Sequence, residues 1–129
     1  MGAAAARSGD RINATDMHMI QPPGPTSPVL VPHPFSGIID GSVSSNVTIG
    51  GQPAATVNST ATNTPPHTPI GGSFVNPPTN QATIIKGSAT VTINSLAAAR
   101  SGDTATTCND PLPAPVGTVS AVGTVTIGG

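Results

Sequence analysis

The sequence predicts an all-β fold: a single domain made of three copies of one small unit in a pseudo-threefold arrangement. Three observations predict it. The heptapeptide AAARSGD occurs twice, from Ala4 to Asp10 and from Ala97 to Asp103, with a degraded relative, PAATVNS, from Pro53 to Ser59. A second signature keeps step with it: VTIGG from Val47, VTINS from Val91 and VTIGG again from Val125. The composition is that of strands and turns, with 15 Gly, 15 Pro, no Trp or Tyr and only 7% charged residues. Disordered chains owe their solubility to charge, which is scarce here, whereas Val, Ile and Thr in repeated contexts form strands. Repetition at this scale fixes the architecture, because a unit too small to bury its own apolar face must share an interior with its copies.

The repeats run from about residue 4 to 52, 53 to 96 and 97 to 129, within one domain spanning residues 1–129. In the first, Ser8-Gly9-Asp10 reads as a turn. Asp16-Met17-His18 then leads into QPPGPTSPVLVPHPF, whose prolines predict a stiff loop with His18 at one end and His33 at the other. From Gly37, Ile38-Ile39, a turn at Asp40-Gly41 and the strand Val47–Ile49 predict a short hairpin. The second repeat follows the same plan, with Ile84-Ile85 and Val91–Ile93 as the equivalent hairpin and a longer excursion at SFVNPPTNQ. The third closes on a strand pair within TVSAVGTVTIGG.

A core this poor in large apolar side chains needs a staple. One cysteine excludes an intrachain disulfide, which leaves a metal, a partner or both. The soft ligands are three histidines and that cysteine. His67 lies eleven residues beyond Thr56, as His18 lies eleven beyond Arg7, and Cys108 lies eight beyond Arg100. Threefold packing brings these three towards one axis, with His33 beside His18. Three imidazoles and a thiolate form a closed set suited to one structural zinc per chain. Hydrolytic zinc chemistry wants an open position and a carboxylate base. The chain has no Glu, and Asp16 and Asp110 are the poor candidates that remain, so the sequence predicts no enzyme. A net charge of -1 argues against nucleic acid as a partner. MGAAAARSGD lacks the basic and apolar regions of a secretory signal.

GSVSSNVTIGGQPAAT and IIKGSATVTINSLAAARSGD resemble the repeated core of PAAR-repeat proteins, the spike tips of type VI secretion systems and related contractile injection machines. The resemblance implies a cone capping a trimeric β-helical spike, either the valine–glycine repeat protein G or a phage-type spike, with one tip per trimer. It also implies zinc near the apex, held by His18, His33, His67 and Cys108. Alanine replaces proline in the first and third motifs, and Thr56 replaces the arginine of the second. The chain reads as a bare tip without an effector extension. The role implied is membrane puncturing; the alternative is an adaptor docking a separate effector or chaperone through its long loops. A tip of this kind assembles in the cytoplasm of the producing cell and leaves it on the spike.

Overall fold

The computed structural model describes residues 2–128 and shows strands and turns without a helix among them. The strands are β1 (Ala3–Ala4), β2 (Arg11–Gln21), β3 (Val29–Gly41), β4 (Thr48–Ile49), β5 (Gln52–Pro53), β6 (Thr60–Asn63) and β7 (Ser73–Phe74). They continue as β8 (Gln81–Ile84), β9 (Thr92–Ile93), β10 (Leu96–Ala97), β11 (Thr104–Thr107), β12 (Ala114–Ser120) and β13 (Thr126–Ile127).

Six of them form a closed antiparallel barrel in the order β2, β3, β6, β8, β11, β12. Pairing of Thr118 with Asn13 and Ser120 with Arg11 closes it. Alternation along each strand turns one side chain in two towards the interior. Ile12, Phe35, Ile39, Ala61, Ala82, Ile84, Ala105 and Val119 fill that interior. The Phe35 ring fits because Gly37 and Ala61 leave it room: a Cβ on Gly37 would stand 2.7 Å from Phe35 Cε1. One large ring surrounded by alanines is how so sparse a composition still fills a barrel.

Beneath the barrel the three Ala blocks form a closed triangle. Ala6 donates its N–H to the Ala99 carbonyl (2.9 Å), Ala99 to Ala55 (3.1 Å) and Ala55 to Ala6 (3.0 Å). All six alanines at Ala5-Ala6, Ala54-Ala55 and Ala98-Ala99 are fully buried. Three backbones approach this closely around one axis only where side chains are minimal, which explains the repeated alanines. The next turn repeats too: the N–H of Arg7, Thr56 and Arg100 is accepted by Asp10 (3.1 Å), Ser59 (3.0 Å) and Asp103 (2.7 Å). Gly9, Asn58 and Gly102 hold equivalent positive φ values of 96°, 80° and 92°.

The three-repeat all-β fold is as expected; its strand pairing differs. The VTI strands do not pair with the isoleucine strands before them. β4 folds back on β5 and β9 on β10, through Gly50-Gly51 and Asn94-Ser95, whose positive φ values suit two-residue hairpins. The third VTI strand, β13, pairs instead with β1 at the start of the chain. Ile38-Ile39 meanwhile continues β3 between β2 and β6.

The predicted stiff loop is also corrected. His18 and His33 do not flank a loop; they lie on two long strands paired from Arg11↔Ile38 to Ile20↔Val29. Pro32 and Pro34 are tolerated because β6 meets β3 only from Gly37 onward, so the missing N–H groups fall on an open edge. The connection shrinks to residues 22–28.

Candidate metal centre

β2 and β3 run on beyond the barrel as a two-stranded arm, and the inward alternation continues with them. Ile12 and Ala14 are followed on the inner face of β2 by Asp16, His18 and Ile20. His33 faces Asp16 across the ladder. His67 arrives from the stretch between β6 and β7, its backbone N–H held by Asn80 Oδ1 at 2.8 Å. Cys108 follows β11, beside the inward-facing Thr107.

These residues converge on one buried spot. Ligating atoms of Asp16, His18, His67 and Cys108 all lie within 4.8 Å of one another. Asp16 Oδ2 is 2.8 Å from His67 Nε2 and accepts from Cys108 Sγ at 3.3 Å. Cys108 Sγ is 3.7 Å from His18 Nε2. The side chains of Asp16, His18 and His67 are 0–1% exposed. His33 packs its ring 5.5 Å from that of His18 and 5.7 Å from that of His67. Its nitrogens meet backbone groups: Nδ1 the Val31 carbonyl at 2.8 Å, and Nε2 the Ile70 N–H at 3.3 Å. Phe74 of β7 closes the cluster against the rings of His18 and His33.

The donor set suits a metal. Burial, reinforced by His67, pushes His18 below its ordinary value, which keeps the imidazole neutral with a lone pair to offer. His18 Nδ1 is buried without a hydrogen bond, and Asp110 Oδ2 stands 3.5 Å away, so a small shift of either ring or carboxylate completes a carboxylate–histidine pair behind a ligating Nε2. Burial, with the Asp16 carboxylate beside it, pushes the Cys108 thiol up to about 11. A hard-to-ionise thiol and a neutral His18 imidazole beside the Asp16 carboxyl group are a donor set that a cation would suit.

Asn109 and Asp110 hold the arm in place. Asn109 Oδ1 and Asp110 Oδ2 each accept a backbone N–H of β2, from Met17 and Met19, both at 2.7 Å. They stand where β12 no longer reaches, since its pairing ends at Asn13.

Equal spacing from the Ala blocks did not make His18 and His67 structurally equivalent. β2 continues as a strand through His18, whereas β6 stops at Asn63 and delivers His67 from a loop. Asp16, a poor candidate for a base, is one of the four residues whose donor atoms cluster. Its signal was the i, i+2 spacing to His18, which becomes visible once the segment is read as a strand.

A model of the PAAR motif matches residues 30–114. The chain belongs to the PAAR-motif family. A search of curated proteins found no match. The PAAR match takes in His33, His67 and Cys108 and begins after Asp16 and His18. Membership points to a spike-tip type of role in a contractile injection machine.

Proposed function

We propose that this PAAR protein is a structural, non-enzymatic tip that caps and sharpens the trimeric spike of a contractile injection machine for membrane piercing. The PAAR match over residues 30–114 carries this reading. The base supports it: three strand pairs stand around one pseudo-threefold axis, so a single chain offers three similar surfaces to a partner of three identical chains. The contact is apolar and backbone-mediated, because the base carries few charges, and one tip sits on each trimer. Such a tip assembles in the cytoplasm and is carried out on the spike. Native mass measurement of the tip co-purified with its spike is expected to give one tip per three spike chains, stable at high salt. Three tips per trimer, or ready release by salt, would overturn it.

The reading includes one structural zinc, held by His18, His67 and Cys108 with His33 as the fourth donor that the resemblance supplies. The zinc would cross-link β2, the stretch before β7 and the end of β11. With the thiol at about 11, Cys108 holds its proton at neutral pH, and zinc must displace it. Uptake is therefore expected to release about one proton per zinc, and affinity to fall about tenfold as the pH drops from 8 to 7. Titration calorimetry in buffers of different ionisation enthalpy measures the release; no released proton would contradict a thiolate ligand.

A further inference from the structure

Two of the three Ala pairs are followed by an arginine, Arg7 and Arg100, and the middle one by Thr56. Each arginine lies over the end of its own repeat's VTI strand. Arg7 Nη1 donates to the carbonyls of Ile49 (3.2 Å) and Gly50 (3.1 Å), and Arg100 Nη1 to that of Gly128 (3.4 Å). The far wall of each cleft is the loop that opens the VTI hairpin of another repeat. A Cβ on Gly123 would stand 3.8 Å from Arg7 Cζ, and Ser88 Oγ shares the Gly128 carbonyl with Arg100 at 2.7 Å. In the middle repeat Thr56 Oγ1 turns back to the Val57 carbonyl at 3.0 Å. The equivalent cleft is open, about 360 Å³ between the Ser42–Ser45 loop and the β9–β10 hairpin, with Thr56, Ile93, Asn94 and Leu96 on its walls.

The turn residue changes together with the arginine. Gly50 and Gly128 stand beside the two arginines, and a Cβ on Gly50 would lie 2.1 Å from Arg7 Nη1. Asn94 stands beside Thr56 in the same backbone geometry, φ 53° against 57° at Gly50. Its Oδ1, 2.6 Å from Ser44 Oγ, adds an acceptor to the wall and moves any guanidinium outwards, towards the exposed Ser45 and Leu96. Ser59 replaces the aspartate of the other repeats, yet no carboxylate is needed, since Arg7 donates to carbonyls.

We propose that this cleft receives an arginine side chain from a second protein. The two sister clefts of the same chain show which group such walls hold. The site occurs once per chain, and three identical spike chains would press the same arginine against Arg7 and Arg100 as well, where like charges repel. The occupant is therefore a protein bound once per tip. That count rests on the trimeric-spike reading above; the cleft itself does not.

The test titrates N-acetyl-arginine methylamide onto the full chain and follows backbone amide shifts. Shifts are expected at Ser42–Ser45 and Asn94–Leu96, with a dissociation constant on the order of 1–10 mM, the reach of a ligand this small. The lysine analogue, without the planar fork, should bind several-fold more weakly. Thr56→Arg, which fills the cleft from within, should remove the shifts. Ser45→Lys, an exposed change at the rim, should weaken binding several-fold and serves if Thr56→Arg does not fold. Shifts centred elsewhere, none at all, or the same shifts in the folded variants would overturn the proposal. Equal binding of the lysine analogue would overturn the guanidinium assignment. Native mass measurement should find the variants loaded on the spike like wild type. Loss of loading would give the cleft to the spike and overturn the single-copy partner. A wild-type tip that does not load at one per three spike chains would overturn the spike reading and the copy number, while the shift map still decides the cleft.

Discussion

Stripping zinc from the loaded protein with a strong chelator is expected to unfold the apex and lower the thermal midpoint by tens of degrees. Structural zinc contributes roughly 10–16 kcal/mol of apparent binding energy in small peptides. Whole domains are stable by only about 5–15 kcal/mol. A bound zinc would therefore rival everything else that holds this chain together. The residues at the centre explain why so little else does. Asp16, His18 and His33 occupy inward positions where a larger domain would place apolar side chains, and each is buried. Asp16 bonds to His67 and Cys108, His33 bonds only to backbone groups, and His18 Nδ1 has no hydrogen-bond partner. The barrel below is closed on its own backbone and is expected to outlast the arm. Circular dichroism melts with and without chelator, alongside amide exchange, would follow the two parts. Cys108→Ser should reproduce the effect, since a hydroxyl does not replace a thiolate. Midpoints within a few degrees of each other would show that the centre does not staple the fold.

Ile93→Asp is expected to abolish folding of the base, rather than merely release the tip from its spike. Ile49, Ile93 and Ile127 are only 8%, 9% and 7% exposed, packed on the alanines of the triangle. In a strand at the base of the domain, such a side chain either faces a partner or faces the interior. The structure spends them on the chain's own second core. Truncating a buried isoleucine costs about 2–5 kcal/mol, and an unpaired carboxylate in its place adds several more. That total approaches the whole stability of a small domain. Thr92→Asp, one residue away on the exposed face of the same strand, is the control, expected to fold normally. Soluble yield and a thermal melt of both variants would decide. A folded Ile93→Asp protein that fails only to bind its spike would place the isoleucines at the interface instead.

The sequence by itself determined the number of repeats, the all-β class and three of the four residues whose donor atoms cluster. It could do so because those properties are local. AAARSGD and VTI recur letter for letter, and His67 and Cys108 are scarce residue types in a chain with few soft ligands. The tertiary structure alone decided which strands pair. The run from Gln21 to Phe35 looked like loop because proline forbids a ladder in general. From Val29 onward it is strand because only one side of β3 has a partner there, and the prolines lose nothing on the open side. The VTI strands looked like partners of the isoleucine strands. Two-residue turns at positive φ sent two of them the other way, and the third found its partner at the far end of the chain. Asp16 was illegible for the same reason as the arm. Its chemistry depends on facing inward beside His18, and no composition or spacing rule says which face of an unrecognised strand is the inside.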